Sequence, residues 1–147
     1  MGPANNKIDF FRVLNCHDSN DTEILGLTTL MIKNIPMKFM QQDVLALINP
    51  NFYGKYDYFY LPMDLKTQSS VGYAFINFID PLFILDFYLS FNYIRWSNYL
   101  PNCNSGKLGE IVYANMQGME QIKKGLKDKN VMKKNDYKIK PILIENL

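Results

Sequence analysis

The stretch of sequence that decides the fold spans residues 71–78 and is Val71-Gly72-Tyr73-Ala74-Phe75-Ile76-Asn77-Phe78. Its aromatic and β-branched residues favour a strand, and the glycine near its start allows another backbone segment to approach closely. Side chains alternate between the two faces of a strand, so one face is predicted to carry Tyr73, Phe75 and Asn77. The other face is predicted to carry Ala74, Ile76 and Phe78.

Segments on both sides of this strand follow the order β-α-β-β-α-β. Runs of β-branched, aliphatic and aromatic residues predict strands over 28–35, 56–61, 72–78 and 111–114. Helical spacing of apolar residues predicts one helix over 40–48, ended by Asn49-Pro50, and a second over 80–91, with Asp80 as its N-cap. This order is typical of an α+β, ferredoxin-like fold, in which a four-stranded antiparallel sheet carries two helices on one face.

The two ends of the chain lie outside this pattern. An extra C-terminal helix is predicted over residues 118–127, and a short extension follows at 140–144. Residues 1–27 are predicted to be an N-terminal extension, whose first residues are typical of a cloning remnant. We therefore expect one domain over residues 28–144, with a C-terminal extension that begins at about residue 117.

Length and composition exclude several classes of protein. The chain has 147 residues, of which 48% are hydrophobic and 20% charged, and these values indicate a folded domain rather than wholesale disorder. No run reaches the ~18 apolar residues that a membrane span needs, so no membrane association is expected. The start of the sequence lacks the charged and apolar regions of a secretory signal.

The cysteines argue against a disulfide framework and against a metal site. Only Cys16 and Cys103 occur, far apart, and the Cys16-His17 pair has no second pair to complete a zinc site. A reducing compartment is the default for such a chain. We expect no metal, no cofactor, a monomer, and a location in the nucleus, the cytoplasm or both.

Charged and aromatic residues are unevenly distributed along the chain. Residues 1–105 carry seven basic and nine acidic side chains, whereas residues 106–147 carry nine basic and five acidic ones. Aromatic residues make up 14% of the chain and lie mostly before this basic part. Aromatic rings beside scattered positive charge favour stacking of a single strand of nucleic acid over wrapping of a duplex.

Residues 71–78 resemble the octamer of the RNA-recognition motif, which has the pattern Lys/Arg-Gly-Phe/Tyr-Gly/Ala-Phe-Val-x-Phe/Tyr. The first position departs from it, since Val71 stands where the motif has a basic residue. Residues 30–35 (LMIKNI) resemble the companion hexamer of the same motif, with Met31 where a stacking aromatic residue is usual. Both strings are in the right order and on strands of the predicted topology, which favours this fold.

The resemblance implies that the sheet face without helices binds RNA. The hexamer strand lies beside the octamer strand in this fold, and Tyr58 and Tyr60 point to the same face if Phe59 points into the core. We expect bases to stack on the rings of this face, while Asn77 and Lys33 contact base edges. The candidate RNA-binding residues are Tyr73, Phe75, Tyr60, Lys33, Met31, Asn77 and Tyr58. The alternative is that these tyrosines only pack against a C-terminal segment folded over the sheet.

Longer strings are similar to the C-terminal RNA-recognition motif of Mei-two-like proteins, the meiosis and development regulators of fungi, plants and protists. The similarity extends from Thr28 to Ile144 and rests on residues 28–36, 56–64 and 71–77 together with Asp80-Pro81, Trp96, Tyr113-Ala114, Gln117-Gly118 and residues 140–143. In that family Met at the ring position of the hexamer and Val at the start of the octamer are usual. The resemblance implies a single-stranded RNA-binding domain that is a fragment of a longer protein.

Two other functions compete with RNA binding. A variant of the same fold binds a protein partner or peptide, but it usually lacks the octamer rings and carries an Arg-x-Phe loop, which Arg95-Trp96 does not match. An enzyme is not expected, because the chain has one histidine, no phosphate-binding glycine loop and no convincing nucleophile–base pair.

Two further features have both a structural and a functional interpretation. Trp96 is expected to be a core anchor rather than a stacking platform. Lysines form either an electrostatic rim for phosphates or a solvated helix face at positions 123, 124, 127, 129, 133, 134, 138 and 140.

Overall fold

The computed structural model describes residues 6–101, 103, 105–127 and 141–144. Its elements in chain order are α1 (Phe10–Leu14), α2 (Thr22–Leu25), β1 (Thr29–Lys33), α3 (Gln41–Phe52), β2 (Tyr56–Tyr60), β3 (Met63–Asp64), β4 (Ser69–Ser70), β5 (Ala74–Phe78), α4 (Ile84–Phe91), β6 (Glu110–Tyr113), α5 (Gly118–Lys127) and β7 (Ile142–Leu143). The predicted order β-α-β-β-α-β is present as β1, α3, β2, β5, α4 and β6. The α+β, ferredoxin-like fold class is confirmed.

Within the described part of the chain the main sheet has five strands, whereas the sequence predicted four. Its order is β6-β1-β5-β2-β7, and every neighbouring pair is antiparallel. The fifth strand, β7, falls in the short extension that was expected near the C-terminus. It pairs with β2, whose Tyr58 and Phe59 lie opposite Leu143 and Ile142. A short strand of this kind protects an edge that would otherwise expose unpaired backbone groups.

One face of the sheet forms the hydrophobic core against α3 and α4. Ala74, Ile76 and Phe78, which strand alternation predicted for this face, are all at most 1% exposed, as are Leu30, Ile32 and Phe59. Burial of a large aliphatic or aromatic side chain contributes about 1.5–3 kcal/mol, so this face supplies much of the driving force for folding. The opposite face of the sheet is not covered by α3 and α4.

Helix α3 runs past Pro50, where the sequence predicted its end. The helix continues to Phe52, whose ring centroid lies 5.2 Å from that of Phe87 on α4 and 6.1 Å from that of Phe78 on β5. Aromatic pairs at such distances contribute beyond the area that they bury. Packing of Phe52 therefore offsets the backbone hydrogen bond that Pro50 cannot donate.

The second core helix begins as predicted. The Asp80 side chain accepts a hydrogen bond from the backbone N–H of Leu82 at 2.8 Å, and a 3₁₀ turn over Pro81–Phe83 leads into α4. Trp96, 1% exposed, is a core residue as expected.

The N-terminal segment packs on the β6 edge of the domain. The backbone N–H of Tyr113 donates to the carbonyl oxygen of Asn6 at 2.7 Å, and Ile8, Val13 and Ile24 are buried in the same core cluster as the sheet. Asp9 and Asp21 cap α1 and α2 through hydrogen bonds from backbone N–H groups. The segment therefore extends the hydrophobic core rather than trailing from it.

The described residues contain neither a candidate membrane span nor a candidate metal site. None of their helices combines the length and apolar character needed to cross a bilayer. No three of their histidine, cysteine, aspartate and glutamate side chains are grouped so that they could hold a metal ion.

Candidate nucleic-acid interface

The strand register aligns three of the predicted site residues across the outer face of the sheet. Met31 on β1 lies opposite Phe75 on β5, and Phe75 lies opposite Tyr60 on β2. We call Met31, Phe75 and Tyr60 the outer row. All three side chains are partly exposed. The row places two rings and a flexible thioether side by side, as the sequence predicted from the adjacency of the hexamer and octamer strands.

Tyr73 extends the outer row just before β5 begins. Its ring centroid lies 5.6 Å from that of Phe75, with an angle of 79° between the ring planes. Tyr73 is 36% exposed. An edge-to-face pair of this kind fixes both rings while leaving surface for a third flat group.

A bulge in β2 explains why its tyrosines divide between two faces. The pairing of β2 with β5 shifts register between Tyr56 and Tyr58, so Asp57 is an extra residue. Tyr56 is buried on the core face, and Phe59 also points into the core. Tyr58 and Tyr60 therefore face outward, as alternation from Phe59 predicted.

Helix α5 forms one wall of a groove over the outer row. We call this the aromatic groove; its volume is about 290 Å³. Its lining comprises Thr29, Tyr58, Tyr60, Pro62, Tyr73, Phe75, Met116, Ile122, Gly125 and Leu126. Ile122 is 4% exposed, so the apolar side of α5 faces the protein. Tyr73 keeps about a third of its surface accessible and the rings of Phe75 and Tyr60 are partly exposed, so the helix borders these rings without covering them.

Gln117 fixes the beginning of α5 to the sheet. Its Oε1 accepts hydrogen bonds from the backbone N–H groups of Thr28 at 3.0 Å and Thr29 at 2.9 Å, and its Nε2 donates to the carbonyl oxygen of Thr29 at 2.8 Å. The backbone N–H of Gly118 donates to Thr29 Oγ1 at 2.9 Å. Gly118 has a φ of 81°, which glycine adopts at little cost. These bonds give Gln117-Gly118 a structural role at the start of α5.

The second row on the same face is closed. Thr29, Asn77 and Tyr58, which we call the sealed row, are 1%, 3% and 5% exposed. Asn77 lies opposite both Thr29 and Tyr58 in the strand register. Burial raises the pKa of the Tyr58 phenol well above its ordinary value.

Asn77 differs from the expectation that it contacts base edges. Its Oδ1 accepts hydrogen bonds from Thr28 Oγ1 at 2.8 Å and Thr29 Oγ1 at 2.7 Å, while its Nδ2 donates to Asp57 Oδ1 at 2.8 Å. The predicted face of the strand is the observed one. The amide, however, joins β1, β2 and β5 from inside rather than pointing to solvent.

Lys33 lies at the end of β1, on the outer face and half exposed. Its Nζ is 3.5 Å from Glu110 Oε1, directly across the β1–β6 pairing. An ion pair at this exposure contributes little to stability, so Glu110 holds the Lys33 ammonium group only weakly.

Phenol chemistry in the aromatic groove follows from partial burial. The pKa of Tyr60 is raised by burial and, to a lesser extent, by the neighbouring Tyr73. The Tyr60 hydroxyl is protonated near neutral pH, as in any tyrosine with an ordinary or raised pKa, and can both donate and accept hydrogen bonds.

The contribution of α5 to the wall of the aromatic groove could be predicted from the sequence only in part. Ile122 and Leu126 are spaced by four residues, which is the helical signal that they share a face, but nothing local assigns that face to the sheet. Lys123 and Lys124 are exposed on the same helix. The lysines at positions 129, 133, 134, 138 and 140 lie outside the described residues, as does the side chain of the lysine at 127.

Comparison with known proteins identifies the class. The family described as RNA recognition motif 2 matches residues 27–127, which is more than half of the chain. The chain therefore belongs to the RNA recognition motif 2 family. The family is not one of enzymes, in agreement with the expectation from sequence.

The resemblance to Mei-two-like proteins is also confirmed. The chain is 41% identical over 119 residues to Protein MEI2-like 2 of Oryza sativa subsp. japonica, covering 81% of this chain and 13% of the relative. It is 36% identical over 139 residues to Protein MEI2-like 5 of Arabidopsis thaliana, covering 95% of this chain and 16% of the relative. The chain thus spans a small part of the curated relatives that it matches.

Among solved structures, the Sex-lethal RNA recognition domains 1 and 2 from Drosophila melanogaster are similar to the chain. The sequences are 24% identical, the match covers 59% of this chain and 49% of that one, and the TM-score is 0.47.

Proposed function

We propose that the domain binds single-stranded RNA in the aromatic groove, with splayed bases stacked on Tyr73, Phe75 and Tyr60. The observation that carries the proposal is the Tyr73–Phe75 ring pair, partly exposed in a groove of about 290 Å³ on the sheet face opposite α3 and α4. Membership in the RNA recognition motif 2 family supports it. Stacking contributes about 1–3 kcal/mol per base, and two or three platforms suffice for measurable affinity.

The groove also offers the contacts that distinguish bases. Met116 and Leu126 line its α5 side, so a base stacked on Phe75 would meet apolar atoms on a second side. The hydroxyl groups of Tyr60 and Tyr73 supply donors and acceptors for base edges. Met31 adds an apolar contact beside Phe75, and Tyr58 lines the bottom of the aromatic groove. Asn77 supports the groove from beneath through its hydrogen bonds to Thr29 and Asp57.

The test is an RNA titration of the double variant Tyr73→Ala/Phe75→Ala. A selection from random RNA dodecamers first supplies the best-binding sequence, which is then labelled and titrated by fluorescence anisotropy. We expect the variant to bind about 2–5 kcal/mol more weakly, because two stacking platforms are lost. Circular dichroism should show an unchanged fold, since both side chains lie outside the core.

Tyr93→Ala is the matched control. Tyr93 is 69% exposed and is not among the residues that line the aromatic groove, so its removal should leave the titration unchanged. A double variant that binds as tightly as the parent would refute stacking on these rings.

A further inference from the structure

A second groove, of about 620 Å³, lies beyond Tyr73 at the end of β1. Tyr73 lines both this groove and the aromatic groove. Among the described residues that line it, none is acidic and three are lysines: Lys33, Lys38 and Lys107. We call it the lysine groove. Glu110 is 3.5 Å from Lys33 but does not line the groove, so the lining itself is positive, and it suits an anionic ligand.

The floor of the lysine groove is held by backbone hydrogen bonds. The N–H of Ile35 donates to the carbonyl oxygen of Gly72 at 2.8 Å, and the N–H of Ser70 donates to that of Met37 at 3.3 Å. Gly72 has a φ of 95°, and a Cβ there would lie 3.5 Å from the Ile35 carbonyl oxygen. The segment that carries Lys38 is thereby tied to the octamer segment before any ligand binds.

Val71 lies in the same groove and is 40% exposed. It occupies the octamer position at which the motif has a basic residue, so the strand itself supplies no cation here. The three lysines come instead from the end of β1, the loop that follows it and the segment before β6. The groove thus has three lysines around the octamer strand, where the motif has one basic residue on the strand itself.

We propose that the lysine groove binds consecutive phosphates of the RNA strand whose neighbouring bases stack in the aromatic groove. This rests on the proposed function, because it gives the path of the same strand after it passes Tyr73. Lysine ammonium groups are point charges on flexible stems and bind phosphate without demanding one geometry. The groove therefore adds affinity without adding base specificity.

The first experiment removes charge from the groove. The variant Lys38→Ala/Lys107→Ala is titrated with the selected RNA dodecamer over a range of salt concentrations. For single strands, the slope of log K against log salt changes by about 0.7 per phosphate neutralised. We expect the slope to become shallower by about 1.4. Lys123→Ala/Lys124→Ala on α5 is the control with the same charge change, and its slope should stay at the parental value.

The second experiment adds charge to the groove. Val71→Lys introduces the basic residue of the general octamer pattern at an exposed position, so the fold should be retained. We expect a steeper slope, by about 0.7, and tighter binding at low salt. Val71→Gln, a polar neutral residue, is the matched control and should leave the slope unchanged.

The outcomes separate this proposal from the proposed function. If Tyr73→Ala/Phe75→Ala abolishes binding while the groove variants leave the slope unchanged, the phosphate path is wrong and stacking stands. A slope that responds to Lys123→Ala/Lys124→Ala instead would move the phosphates to α5 and overturn the proposal. Absence of binding to any selected RNA would overturn both.

Discussion

The outer row and the sealed row lie on the same face of the same three strands, two residues apart along each strand, and differ in exposure. Met31, Phe75 and Tyr60 remain partly exposed, whereas Thr29, Asn77 and Tyr58 are at most 5% exposed. Strand alternation treats the two rows alike. The difference shows that the sheet face on which a side chain lies does not determine how exposed that side chain is.

The difference has two physical causes. Gln117 brings the start of α5 to the β1 backbone beside Thr29, and α5 then forms a wall of the aromatic groove. Asn77 completes a hydrogen-bond network from Asp57 to the threonines of β1. A buried amide is tolerated only when its polar atoms are paired, so the network makes the sealed row stable.

The largest expected contrast is between two tyrosines on one strand. Tyr58→Ala should lower the free energy of unfolding by about 3–5 kcal/mol, as for other buried aromatic residues. Tyr60→Ala should cost clearly less stability and should weaken RNA binding by about 1–3 kcal/mol. Urea denaturation and RNA titration measure the two effects. Equal losses of stability in both variants would contradict the proposed difference between the outer row and the sealed row.

A smaller loss of stability is expected when Asn77 is truncated. Asn77→Ala leaves the hydroxyls of Thr28 and Thr29 and the Asp57 carboxylate without their partner, which should cost about 1–3 kcal/mol. Asn51→Ala, at an exposed position of α3, is the control and should stay within about 0.5 kcal/mol of the parent. If urea denaturation finds Asn77→Ala as stable as Asn51→Ala, the network does not hold the sealed row together.

The smallest effect is expected at alkaline pH. Burial raises the pKa of Tyr58 above the ordinary value of 10 and raises that of Tyr113 to about 12. The folded state therefore keeps phenol protons that the unfolded state has released. Stability from these groups is complete below pH 10 and declines as the pH rises above 10.

Urea midpoints across this pH range, with the ultraviolet absorbance of tyrosinate, measure the decline. Tyr58→Phe should make the decline shallower, because the substituted ring has no proton to lose. Tyr53→Phe, at a position 74% exposed, serves as the comparison. An equally shallow decline in both variants would count against burial as the cause.

The core and the element order were predictable because each rests on local pattern. Ala74, Ile76 and Phe78 alternate with outward-facing residues, and Asp80 signals a helix start by its own side chain. The end of α3 was not predictable in this way. Pro50 is a local stop signal, and packing of Phe52 against α4, a distant segment, overrides it.

The aromatic residues of the candidate site could be predicted from the sequence, but the elements that surround them could not. Tyr73, Phe75 and Tyr60 follow from the octamer, the hexamer and alternation along β2. The short hairpin of β3 and β4 and the strand β7 carry too few residues for a periodic signal, and the lysine groove gathers side chains from three separate segments.

The sequence by itself determined which side chains share a face of the sheet, because the period of a strand is a local property of the backbone. Only the tertiary structure decided that Asn77 is enclosed while Tyr73 stays accessible. That outcome depends on Gln117, 89 residues from Thr28 along the chain, whose hydrogen bonds to the backbone set where α5 begins beside the sheet. The accessibility of a side chain depends on which distant segments of the chain cover it, so it cannot be read from a local sequence pattern.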